Sequence, residues 1–306
     1  MLIDNFGRIL RNLRISVTHE CNYHCVYCHM EGWGVYRHKE FLNANEIRSI
    51  AEIAMELGIN EFKITGGEPL VRRDIIEIVS SIASLKPKDL SMTTNGYFLH
   101  ILAEKLVEAG LKRINVSIPS LSREKYRYIT GIDSLEIVLD GIKKALDVGL
   151  TPLTINIVVL KNINDDEYLE FIKFASRFNG NIKIRFIELE PITIPRNIFS
   201  KYYISLETIE KYIESIAVKK YIRDIHARPV YVLYNGIEIE LVRWLGNRQF
   251  CRNCNRIRLS ADGILKPCIL ARNGIDLKPF LRPTINRDGL REAFFKINAL
   301  RHPYII

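Results

Sequence analysis

Short runs with apolar residues at every second position alternate with longer runs where they return every three or four, from residue 13 to residue 187. The first period is that of a half-buried strand and the second that of an amphipathic helix. Strands are predicted at 13–17, 61–65, 90–94, 113–118, 153–160 and 181–187. Asn43 and Glu46 open a first helix as a capping box and Gly58 closes it; further helices are predicted at 74–85, 98–109, 134–148 and 165–178. Six β/α units in succession imply a parallel sheet with right-handed crossovers.

Alternate residues of a strand share a face, and here the two faces differ in kind. One collects Arg14, Ser16, Lys63, Thr65, Arg113, Asn115, Ser117, Thr154, Asn156, Lys183 and Arg185; the other carries Leu13, Ile15, Phe62, Ile64, Ile114, Val116, Ile155 and Ile157. Helices cover the apolar face. A closed eight-stranded barrel fills its interior with bulky branched side chains, so a polar inner face predicts a wider or incomplete barrel around a polar, anionic ligand. The expected class is α/β: a partial (βα)6 TIM-type barrel with a small β-rich carboxy-terminal annex, divided as residues 1–190 and 191–306. In the annex a helix is predicted at 205–217. Asn235-Gly236 and Ala261-Asp262-Gly263 then join strand pairs as hairpins, and a last helix follows at 290–299.

Charge and cysteine content narrow the chemistry. A formal net charge of +9 over 306 residues favours anionic partners, and no basic run marks a nucleic-acid tail. No uninterrupted apolar run is long enough to span a bilayer, and no secretory leader is visible, so the expected location is cytoplasmic with reduced thiols. All six cysteines fall into two triplets, Cys21, Cys25, Cys28 and Cys251, Cys254, Cys268. Three thiolates from one short loop suit three corners of a 4Fe-4S cubane, leaving one iron open to another ligand. Structural zinc is the alternative, with His24 or His19 completing the first set.

The segment Cys21-Asn22-Tyr23-His24-Cys25-Val26-Tyr27-Cys28, set directly after the first strand, resembles the cluster loop of the radical S-adenosylmethionine (SAM) superfamily. Gly66-Gly67-Glu68-Pro69 is similar to the superfamily's segment for the methionine end of SAM, where glycines let backbone approach a ligand. Cys251-Arg252-Asn253-Cys254, thirteen further residues and Cys268, with Arg256 and Arg258, resemble the second cluster region of the GTP 3',8-cyclase family, the first enzymes of molybdenum cofactor biosynthesis. The resemblance covers nearly the whole chain. It implies two 4Fe-4S clusters and SAM as cofactors, reductive cleavage of SAM to a 5'-deoxyadenosyl radical, hydrogen abstraction from C3' of GTP, and attack of C3' on C8. It further implies Tyr27, Gly67, Ser117 and Glu190 beside SAM, and Arg14, Lys63, Thr93, Arg256 and Arg258 on GTP.

Four departures stand out against that family. Lys63 replaces a common arginine and keeps its charge; Thr154 replaces a common lysine, so the triphosphate contact there is either lost or supplied by Lys183 or Lys161. Glu190 replaces a methionine. The final Pro303-Tyr304-Ile305-Ile306 lacks the double-glycine tail of many relatives. The implied partners are GTP, an external electron donor, a downstream cyclic pyranopterin monophosphate synthase and a second copy in a homodimer, with no membrane and no nucleic acid. Two rivals remain open from the sequence: a peptide-modifying radical SAM enzyme with an auxiliary cluster, and a zinc protein binding nucleic acid.

Overall fold

The computed structural model describes residues 1–32 and 40–303. Tyr304, Ile305 and Ile306, where the sequence reading locates the missing tail, lie outside the described residues. The elements of the first part are β1 (Asn12–Ser16), α1 (Ala44–Glu56), β2 (Glu61–Thr65), α2 (Ile75–Ala83), β3 (Asp89–Thr94), α3 (Leu99–Glu108), β4 (Arg113–Ser117), α4 (Arg123–Thr130), α5 (Leu135–Asp147), β5 (Leu153–Val159), α6 (Tyr168–Ser176) and β6 (Ile182–Glu188). All six predicted strands form, within one or two residues of their expected ends. The capping box closes as expected: the Glu46 amide donates to Asn43 Oδ1 at 2.9 Å, and the Asn43 amide donates to Glu46 Oε2 at 2.8 Å.

The remainder adds α7 (Arg196–Tyr202), α8 (Glu207–Ile216), β7 (Ala217–Ile222), β8 (Pro229–Leu233), β9 (Glu238–Val242), α9 (Arg248–Arg252), β10 (Arg256–Leu259), β11 (Ile264–Lys266), β12 (Ile275–Asp276) and α10 (Arg287–Ala299). The hairpin turns form at Gly236 and Gly263, whose φ angles of +81° and +92° are those glycine takes without strain. The sequence reading lacks α4, α7, β7, α9 and β12. In α4 only Tyr126, Ile129 and Thr130 are buried among eight residues. In β7 no side chain is fully buried, so neither element carries a full period of apolar positions.

The strands make one sheet of order β12-β11-β10-β1-β2-β3-β4-β5-β6-β9-β8-β7. Strands β1 to β6 pair in parallel in sequence order, as the β/α repeat requires. The carboxy-terminal strands extend both edges of this sheet, since β10 pairs parallel to β1 and β9 pairs parallel to β6. The annex is therefore continuous with the barrel sheet. Its apolar face packs on the helices: Leu13, Ile15, Phe62, Ile64, Ile114 and Ile155 are buried in one core with Ile47, Ile50, Ile78 and Leu106. Full burial of one such side chain stabilises the fold by about 1.5–3 kcal/mol. Among the described residues no helix is long and apolar enough to cross a membrane.

The β6–β9 seam is held by charge. Glu240, 6% exposed, accepts from Arg185 Nε at 2.6 Å and from Arg223 Nη1 at 3.1 Å, and faces Arg228 Nε at 2.9 Å. Removing one partner from a buried ion cluster costs about 3–5 kcal/mol because the remaining charges lose their compensation. Urea unfolding of the metal-free Glu240→Gln protein is expected to show a loss of that size. A change below about 1 kcal/mol would contradict this account of the seam.

Candidate active site

The polar face of the sheet encloses a cavity of about 380 Å³, and all six cysteines line it. Cys21, Cys25 and Cys28 come from the loop leaving the carboxyl end of β1, where parallel sheets place ligands. Cys251 belongs to α9, Cys254 follows it and Cys268 follows β11. Because β10 lies beside β1, the two triplets reach one space although some 220 residues separate them in the chain.

The first loop is seated on the segment after β2. Gly67 N donates to Thr18 O at 2.9 Å and Glu68 N donates to Glu20 O at 2.8 Å. A Cβ on Gly67 would stand 2.2 Å from Glu20 O, and one on Gly66 would stand 2.7 Å from Thr18 O. The close approach these glycines permit is thus to the cysteine loop itself. Glu68 is buried and accepts from Thr94 Oγ1 at 2.6 Å, Asn95 N at 2.6 Å and Leu70 N at 3.0 Å. Burial pushes its carboxyl up to about 7 against those bonds. Asn95 Nδ2 then donates to Asn22 Oδ1 at 2.8 Å, which ties the end of β3 to the loop.

Each triplet holds free thiols, and burial pushes Cys25 up to about 12 and Cys21 and Cys251 up to about 11. Loading metal therefore releases protons here. Among the described residues no three Cys, His, Asp or Glu side chains converge tightly enough for a single metal ion. A cubane takes one thiolate on each of three irons, a donor set that each cysteine triplet supplies. Neither His19 nor His24 lines the cavity.

The candidate ligand residues Arg14, Lys63, Thr93, Arg256, Arg258, Tyr27, Gly67, Ser117 and Glu190 all line the same cavity. Strand register explains the basic ones: Arg258 pairs with Arg14, Arg14 with Lys63, and Lys63 with Ser91, so the first three stand side by side. Arg256 pairs with Asn12 and donates Nε to Asn12 Oδ1 at 3.0 Å. Burial, with Arg185 and Arg14 nearby, holds the Lys63 ammonium well below its ordinary range. Burial, then Arg14 and Arg258, does the same for Arg256. Among the described residues neither Lys63 nor Arg256 has a carboxylate within ion-pair distance. Thr154 and Lys183 line a smaller adjoining cavity of about 180 Å³ that shares Arg113, Arg185 and Arg223 with the first. Lys183 is paired there with Glu238 at 2.6 Å, whereas Lys161 is exposed and lines neither cavity.

The sequence reading missed Glu31. It sits three residues after Cys28 with φ +52°, accepts from Thr65 Oγ1 at 3.0 Å, and pairs with Arg14 at 2.8 Å and Arg258 at 2.5 Å. A lone acid near a basic strand face is the only signal the sequence offers for it. Arg228 and His226 were missed as well. His226 stacks on Phe250 at 3.9 Å on the wall that carries Cys251.

Burial alone raises the Glu31 carboxyl, but Arg14 and Arg258 outweigh it and hold the group at about 2, below its ordinary 4.5. Such a group stabilises the fold above pH 4.5 and loses that contribution as pH falls toward 2, a difference on the order of 3 kcal/mol. Metal-free Glu31→Gln is expected to be less stable at neutral pH and to show a flatter stability profile between pH 4.5 and 2. Parallel profiles for the two proteins would contradict the Arg14–Glu31–Arg258 bridge.

Comparison with known proteins bears on what this cavity does. Residues 15–175 match the Radical SAM superfamily, and residues 182–305 match the family Molybdenum Cofactor Synthesis C. A protein of Saccharolobus islandicus (strain M.14.25 / Kamchatka #1) described as "Probable GTP 3',8-cyclase" is 45% identical over 307 residues, covering 99% of this chain and 98% of its own. A protein of the same description from Pyrococcus horikoshii is 44% identical over 315 residues, with the same coverage. Among solved structures, Streptococcus suis SuiB bound to precursor peptide SuiA aligns with a TM-score of 0.63 at 16% identity, covering 96% of this chain and 72% of its own. The AdoMet-bound structure of anSMEcpe aligns at 0.60 and 14%, covering 94% and 80%. Those two likenesses concern the fold alone. With the match to residues 15–175 and full-length relatives at 44–45% identity, the chain belongs to the radical SAM superfamily and, within it, to the GTP 3',8-cyclase family.

Proposed function

We propose that this protein cyclises GTP to (8S)-3',8-cyclo-7,8-dihydroguanosine 5'-triphosphate, the first step of molybdenum cofactor biosynthesis. The observation that carries this reading is the pair of half-buried cations, Lys63 and Arg256, which among the described residues have no carboxylate within ion-pair distance, in the cavity that both thiol triplets line. Buried charge of one sign calls for a ligand of the other, and a nucleoside triphosphate supplies it.

In this reading Cys21, Cys25 and Cys28 hold one 4Fe-4S cluster and Cys251, Cys254 and Cys268 the other. When bound, SAM and the first cluster supply hydrogen abstraction through a 5'-deoxyadenosyl radical. Tyr27, Gly67, Ser117 and Glu190 border the SAM position. Arg14, Lys63, Thr93, Arg256 and Arg258 orient GTP, and Lys183, beside Thr154, meets the phosphate end from the smaller cavity. Glu31 shares Arg14 and Arg258 with the incoming substrate, so it adjusts the field at the phosphates without leaving the loop. In this reading the first part, up to about residue 190, holds SAM and one side of GTP, and the second part holds the second cluster and the other side of GTP. The enclosing sheet keeps bulk water from the reacting sugar.

A peptide substrate is the second reading. A peptide backbone gives Lys63 and Arg256 no anion, which favours the nucleotide. A zinc protein that binds nucleic acid leaves an enclosed cationic cavity without a use. The labile product fits direct hand-over to a cyclic pyranopterin monophosphate synthase, and reduction of the clusters needs an external electron donor. Thiol loops of this kind need a reducing cytoplasm. A homodimer remains part of the reading through the family alone.

The test is an anaerobic assay of reconstituted protein with dithionite, SAM and GTP, following 5'-deoxyadenosine and GTP together. GTP is expected to accelerate deoxyadenosine formation while being consumed; deoxyadenosine with untouched GTP would reject the substrate assignment. In the same preparation, Arg256→Ala or Arg258→Ala is expected to remove charge-assisted bonds of roughly 1.5–3 kcal/mol and weaken GTP binding about tenfold to a hundredfold. Unchanged affinity by calorimetry would reject those two contacts.

A further inference from the structure

Two arginines grip the second cysteine loop from behind, and the proposed nucleotide contacts use neither. Arg8 Nη1 donates to Cys251 O at 2.8 Å, and Arg301 Nη2 donates to Cys254 O at 2.5 Å. One carboxylate orients both: Asp4 Oδ2 lies 2.7 Å from Arg8 Nε and 3.2 Å from Arg301 Nη1. Asp4 is itself fixed by its own turn, where Oδ1 accepts the Phe6 and Arg8 amides at 3.0 and 2.9 Å. The side chains of Asp4 and Arg301 are 0% and 1% exposed. Asn298 Nδ2, donating to Ile3 O at 2.8 Å, fastens the end of α10 to the start of the chain and so brings the two arginines to one place.

The charges in this group do not cancel. One carboxylate faces two guanidiniums, which leaves net positive charge buried against the loop of Cys251 and Cys254. Arg8 and Arg301 both reach the cavity wall beside those cysteines, and Arg8 Nη2 is buried without a hydrogen-bond partner. A buried cation with an unused donor is costly unless an anion lies within reach. A cubane on three thiolates is such an anion, and becomes more negative when it is reduced. Hydrogen bonds and net charge around a cluster are among the terms that set its potential.

We propose that Asp4, Arg8 and Arg301 form an electrostatic clamp on the second cluster, holding the carbonyls of two of its ligand residues and raising its reduction potential. The three are positioning residues. The clamp rests on reading the second triplet as a cluster site, and the test separates the two ideas.

The experiment uses the full chain with Cys21, Cys25 and Cys28 changed to Ala, which leaves one triplet. After anaerobic reconstitution, iron and sulfide are counted and the cluster is titrated by EPR against a series of potentials. Arg8→Gln and Arg301→Gln, made in this parent, are each expected to make one-electron reduction about tenfold less favourable, a fall of about 59 mV. Arg8→Lys and Arg301→Lys, which keep the charge, are expected to stay close to the parent. Because Arg301 is so deeply buried, the less buried Arg8 pair guards against a variant that fails to fold. Gln variants with a full cluster and the parental potential would overturn the clamp. So would Lys variants that shift as far as the Gln variants. A parent without iron would reject the cluster assignment, and the clamp with it.

Discussion

Burying a guanidinium or ammonium group away from water costs several kcal/mol unless an anion meets it, and this protein lines one cavity with such groups from β1, β2, β6 and β10. Much of the architecture answers that constraint. Glu31 bridges Arg14 and Arg258, and Glu240 gathers Arg185, Arg223 and Arg228. Among the described residues Lys63 and Arg256 are left without a carboxylate, and in the proposed function this remaining charge is what meets a polyanion. The same charge keeps the interior from filling with apolar side chains, so the sheet remains wide enough to hold ligands between two thiol loops.

The chemistry then depends on which strands are neighbours. Placing β10 beside β1 sets Arg258 against Arg14 and Arg256 against Asn12, and carries the second thiol loop to the cavity that the first one enters. The glycines after β2 serve the same end from the other side, because only residues without a Cβ let β2 and the first loop exchange hydrogen bonds at this distance. Local backbone geometry, strand order and electrostatics thus converge on one space.

Features with a local cause were legible in the sequence. Alternating polarity marked β1 to β6 and their inner face, Asn43 and Glu46 marked the head of α1, and Asn235-Gly236 marked the β8–β9 turn. Features that depend on distant partners were not. Nothing near Arg256 indicates that its strand will lie parallel to β1, and nothing near Arg8 or Arg301 indicates that both will meet Asp4 and the second loop. Glu31 has no period to belong to, and β7 is exposed along its length, so neither leaves a pattern in the chain. The glycines of Gly66-Gly67 were visible, but not their close approach to the cysteine loop beside the cavity they line.

The central claim is that this cavity holds GTP with its ribose presented to the radical generated at the first loop. The most direct measurement uses GTP carrying deuterium at C3' with reconstituted protein, SAM and dithionite, and follows the label by mass spectrometry. The account predicts that deuterium appears in 5'-deoxyadenosine as GTP is consumed. Deoxyadenosine free of deuterium while GTP is converted would contradict it, because the hydrogen would then have come from another position.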